Sequence, residues 1–187
     1  MSPFLRWVAT TSGTLAAVLV MIALAGVTLF AWRQRRHSPS RAAKITARDF
    51  ALIAAVAIIV VLTLNPNDQA SQPRRWLLVP FEDLRNALAG HQSLGLAVIG
   101  IVGNVALFVP LGVALRWRFP RLGLGGAAWI GFGTSVVIEA LQAVIPGSRW
   151  SDTTDVITNV AGALVGAALP GDRTDHGASV RGPPGPR

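Results

Sequence analysis

Five apolar stretches, each 15 to 26 residues long, leave this chain few ways to fold. They are Trp7 to Trp32, Phe50 to Leu64, Leu94 to Leu115, Gly123 to Ile145 and Thr154 to Leu169. A helix needs about 20 apolar residues to cross a bilayer. Inside lipid every backbone polar group must find a partner within the protein, so such segments are helices. Composition agrees: 51% of the 187 residues are hydrophobic and 14% charged, where soluble domains carry roughly 25% charged. The expectation is an all-α integral membrane protein with five transmembrane helices and no large soluble domain.

The first run is bounded by Arg6 and Arg33, with Trp7 and Trp32 where interface aromatics sit. A cleaved signal peptide competes with this reading, because Ala23-Leu24-Ala25 before Gly26 resembles a cleavage site. A single leading positive charge and the very basic segment that follows argue for a retained helix. That segment, Arg33 to Asp49, reads as a loop, and Thr46 with Asp49 reads as a capping box for a second helix starting at Ala47. Its apolar part is short, and Asn65-Pro66-Asn67-Asp68 ends it with turn residues.

The longest polar connection, Gln69 to Ser93, contains a short helix signal. Pro80 suits a first turn, Glu82 and Asp83 suit the positive end of the dipole, and Gly90 suits a helix end. Phe81, Leu84 and Leu88 share one face. This short amphipathic helix lies either on the membrane surface or against the bundle. Arg116, Trp117, Arg118 and Arg121 close the third span, Pro146-Gly147 the fourth and Pro170-Gly171 the fifth. The Gly-, Pro- and Arg-rich residues 170–187 read as a disordered tail. The chain thus divides into 1–49, an N-terminal helix with its basic segment, 50–169, the main membrane domain, and the tail.

Five spans place 12 of the 17 basic residues on one side and five on the other. By the excess of basic residues inside, the first side is cytoplasmic, which puts the N-terminus outside and the C-terminus inside. A net charge of +8 invites a nucleic-acid reading. The charges stand in short blocks beside apolar runs, which fits topology and anionic headgroups instead, so no nucleic-acid partner is expected. There is no cysteine, and His37, His91 and His176 are far apart. Thiolate chemistry is excluded, and neither a metal cluster nor a cofactor is expected.

Polar groups in membrane helices are costly and point to function. On the last span Asp152, Asp155, Asn159, Gly162 and Gly166 are spaced to share one stripe. On the fourth, Gly131, Ser135, Glu139 and Gln142 do the same, and on the third Gly100, Asn104, Phe108 and Leu111. Pro110 removes a backbone hydrogen bond there. Three stripes with polar outer ends can converge on one pocket. The candidate ligand-binding set is Asn104, Glu139, Gln142, Arg149, Asp152, Asp155 and Asn159, with Arg149 the cation among three carboxylates. Plainer roles compete: a Glu139–Arg149 ion pair setting helix register, Asp152 or Asp155 as helix caps, Asn104 as an interhelical bond, and Gly162 with Gly166 as a packing motif.

The ordered set resembles the VanZ-like family of membrane proteins. The matching residues are Asn104-Val105-Ala106-Leu107-Phe108-Val109-Pro110-Leu111-Gly112, then Glu139, Gln142, Arg149, Asp152, Asp155, Asn159 and Gly162, with Val79-Pro80-Phe81 in the preceding loop. The resemblance covers about Phe50 to Leu169 and implies a shared four-helix unit, to which the first helix is an addition. It also implies a bacterial cytoplasmic-membrane protein. The family's named member is associated with low-level teicoplanin resistance.

Three functions fit these residues. One is a polar pocket in the outer leaflet that engages a lipid headgroup or a lipid-linked envelope precursor. Arg149 would bind phosphate or carboxylate, the acids would orient the ligand, and Asn104, Gln142 and Asn159 would donate hydrogen bonds. The second is a hydrolase or transferase acting on an envelope lipid, with an acid as general base or with Asp152 and Asp155 on a divalent cation. Neither Ser148 nor Ser151 has an evident base nearby in sequence. The third is structural: helix glue, or a contact for another membrane protein.

Overall fold

The computed structural model describes residues 3–64, 76–77, 79–144 and 151–169. Arg149, the turn at 65–68 and the tail at 170–187 lie outside them. Among the described residues six helices follow one another: α1 (Pro3–Gln34), α2 (Pro39–Leu64), α3 (Glu82–Leu88), α4 (Leu94–Arg118), α5 (Leu124–Val144) and α6 (Thr153–Ala168). Strands β1 (Trp76–Leu77) and β2 (Ser151–Asp152) pair in parallel just ahead of α6.

Among the described residues three helices are long and apolar enough to cross a membrane, at Pro39–Leu64, Leu94–Arg118 and Leu124–Ala143. Val20–Gln34 in α1 is a shorter apolar stretch. The 16 residues of α6 span only about 24 Å at about 1.5 Å per residue.

The segment Arg33 to Asp49 is not a loop. Backbone bonds from Arg36 and His37 to the Arg33 carbonyl close α1, and Ala42 N–H to the Ser38 carbonyl opens α2. Pro39 is the first residue of α2, where its missing N–H costs nothing. Thr46 and Asp49 are therefore inside the helix and form no capping box. Their side chains accept from Arg33 instead, Thr46 Oγ1 at 3.2 Å and Asp49 Oδ2 in an ion pair. Arg118, at the end of α4, donates to the other Asp49 oxygen. One carboxylate thus ties α1, α2 and α4 together at the basic end.

Pro80 precedes α3 rather than starting it, and Phe81 is the N-cap with φ 58°. The C-terminus of α3 follows expectation. Gly90 (φ 80°) donates to Ala87 O and His91 to Asn86 O, the paired bonds of a Schellman motif. The helix packs on α4 and leaves Leu88 exposed.

The core is built from Ala55 and Ile59 of α2, Phe108, Leu111 and Leu115 of α4, Ile138 of α5 and Ala163 of α6. α1 lies outside this unit, antiparallel to α2, with Gly26 against the Phe50 ring. The closest packing joins α4 to α6. A Cβ on Gly162 would stand 2.2 Å from Val105 O, one on Gly166 2.0 Å from Val109 O, and one on Gly112 2.1 Å from Ala163 O. Only glycine permits that approach, which brings Cα–H groups to facing carbonyls.

Candidate functional site

Glycine contacts fix α6 parallel to α4, while Gly131 against the Ala163 methyl group fixes it antiparallel to α5. Gly162 faces Val105 and Phe108, and Asp155 bonds Asn104. The start of α6 therefore lies some four to eight residues, roughly 6–12 Å, below the start of α4. This recessed end carries Asp152 and Asp155, with Asn159 one turn deeper.

Asp152 is the α6 N-cap, and its Oδ1 accepts from Thr154 N–H at 2.7 Å. Its own N–H donates to Glu139 Oε2 on α5 at 3.0 Å. In the first turn Asp155 Oδ1 accepts from Asn104 Nδ2 at 2.5 Å. One turn deeper, Asn159 Nδ2 donates to Ser135 Oγ at 2.9 Å, both side chains buried. The three expected stripes therefore face one another across α6. Gln142 departs from the set: its Nε2 reaches the Thr63 carbonyl at the end of α2, at 3.0 Å.

Two acceptors here are buried without a hydrogen-bond partner among the described residues, Asn159 Oδ1 and Gln142 Oε1. Buried amide oxygens normally find donors. Other hydroxyls nearby are satisfied locally: Thr158 bonds the Thr154 carbonyl and Thr63 the Ile59 carbonyl.

Two described pieces that precede α3 meet the same end. Trp76 and Leu77 pair with Ser151 and Asp152, and Phe81 N–H donates to Thr154 Oγ1 at 2.9 Å. Thr154 thus satisfies an orphan donor and locks Phe81 in a backbone conformation rare for a bulky residue. Thr63, through its carbonyl, and Thr154, through its hydroxyl, escape sequence reading. No periodicity marks either, since what matters is which neighbour stands opposite. Among the described residues no three His, Asp or Glu side chains gather as a metal site.

No curated protein and no solved structure matches the chain. The sequence profile of the VanZ/LLP1 family matches residues 17–170 and so begins within α1. It spans every polar pair described above, from Gln142–Thr63 to Asn104–Asp155. On that match, and with three helices of membrane-crossing length and apolarity, the chain belongs to the VanZ/LLP1 family and is a membrane protein.

Proposed function

We propose that this protein binds a lipid headgroup or lipid-linked envelope precursor at the recessed start of α6. The observation that carries the reading is a partly buried polar end on a helix too short to span the bundle. Two amide acceptors without donors among the described residues lie at or near it. Discontinuous or short helices that end inside a bundle are a recurring way to present polar groups to a ligand at membrane depth. In this reading Arg149, three residues before Asp152, contacts the phosphate or carboxylate, and Glu139, Asp152 and Asp155 orient the headgroup. Five spans, with α1 and α6 among them, put this end in the outer leaflet of a bacterial cytoplasmic membrane. The N-terminus is then outside, and α3, which packs on α4, touches the site through Phe81. A contribution to teicoplanin tolerance would follow if the ligand is a precursor that glycopeptides also engage.

The test is native mass spectrometry of lipids retained by the purified wild type and by Arg149→Ala. The reading expects loss of a specific lipid from the variant; identical lipid retention would remove its basis.

A structural reading has its own support, because Asn104, Glu139, Gln142 and Asn159 each bond across a helix boundary. It expects unchanged lipid retention with a sharp loss of thermal stability on Glu139→Ala.

A further inference from the structure

A cavity lies toward the opposite, basic end of the bundle. It runs between α1 and α2, has a volume of about 210 Å³ and is lined by Met21, Ala25, Leu29, Phe50 and Ile53, with Thr46 and Asp49 among its lining residues. Its walls are hydrocarbon, and Met21, Phe50 and Ile53 are open to the surroundings. Thr46 and Asp49 stand at the end where Arg33 and Arg118 arrive. Two guanidinium groups meet one carboxylate there, which leaves one positive charge in surplus. The flanking segments 33–48 and 116–121 hold nine basic residues and no acid.

We propose that this groove binds one anionic phospholipid. An acyl chain lies along Met21, Ala25, Phe50 and Ile53, and the phosphodiester faces Arg33 and Arg118. A phosphodiester carries one negative charge, which matches the surplus. Apolar walls exclude a free soluble anion as the natural occupant. Asp49 has a positioning role: it holds both guanidinium groups at the groove.

The test compares retention of phosphatidylglycerol with phosphatidylcholine by the full chain in mixed micelles, read by native mass spectrometry. Wild type should prefer phosphatidylglycerol by about fivefold, the factor for one basic residue at a membrane surface. Arg118→Gln removes the surplus charge and should bring the ratio near one. Ala25→Trp fills the groove without altering any charge and should do the same, which keeps the test valid if Arg118→Gln fails to fold. Arg149→Ala should leave the ratio unchanged, which separates this site from the one at α6. Equal retention of both lipids by wild type overturns the proposal. So does a wild-type ratio in Ala25→Trp, because the preference would then belong to the basic belt as a whole. Loss of the preference in Arg149→Ala, or displacement of the lipid by inorganic phosphate alone, also overturns it.

Discussion

The Asn104 amide on α4 donates to the Asp155 carboxylate in the first turn of α6 at 2.5 Å, across 51 residues of chain. This bond sits at the top of the glycine-lined seam that holds the two helices together. It should act as a coupled unit. Asn104→Ala is expected to lower unfolding stability in detergent by about 1 kcal/mol, and the Asn104–Asp155 coupling should fall at about 0.6–1.7 kcal/mol. Strictly additive losses in a double-mutant cycle would show that the bond contributes nothing to holding α4 and α6.

The seam below it predicts a sharp contrast between glycines. Gly166→Ala would drive a methyl group into the Val109 carbonyl, and overpacking of this kind costs about 1–3 kcal/mol. Gly133→Ala meets nothing within 4 Å and should be neutral or gain up to about 1 kcal/mol from helix propensity. Thermal unfolding of the two variants in the same detergent decides it; equal melting temperatures would contradict the packing described.

At the basic end, Asp49 bridges two arginines from two other helices. Asp49→Ala leaves both cations facing each other and should cost about 2 kcal/mol, the scale of a charge-assisted hydrogen bond. Arg118, more than a third exposed, is screened by its surroundings. Its replacement by Gln should therefore cost clearly less. A chemical denaturation series with the reverse order would sink this account of the junction.

Capping and ligand roles at Asp152 can be told apart. Asp152→Ala loses the bond to Thr154 N–H and should cost about 1 kcal/mol. Asp152→Asn keeps a capping oxygen but loses the charge, and should leave stability within about 0.5 kcal/mol. If Asp152→Asn also retains the wild-type lipid, the carboxylate serves only as a cap.

Much of the architecture was legible because hydropathy and capping chemistry speak locally. The expected helix over 94–115 is found at 94–118, that over 123–145 at 124–144, and that over 154–169 at 153–168. The start of α2 was misplaced by eight residues because hydropathy cannot follow a helix once it leaves the apolar region. Ser38-Pro39 carried the correct start signal, and Thr46 with Asp49 mimicked one. The mimicry failed because α2 is already under way at Thr46, which leaves no free backbone N–H there to cap, and both side chains bond Arg33 instead. In the site, helical spacing correctly grouped Asn104, Glu139, Asp152, Asp155 and Asn159 into stripes that meet. It misgrouped Gln142, which turns to α2 although it stands one turn from Glu139.

The sequence alone determined that the chain makes apolar helices, where most of them end, and which polar residues fall on each face. Those properties depend on neighbours three or four positions away, and the helix repeat converts spacing into direction. Tertiary structure decided which faces meet and at what depth. The glycine contacts set α6 low beside α4, and that offset puts Asp155 opposite Asn104 and Asp152 opposite Glu139. Depth and partner depend on close approach between segments far apart in the chain, and no local spacing encodes it.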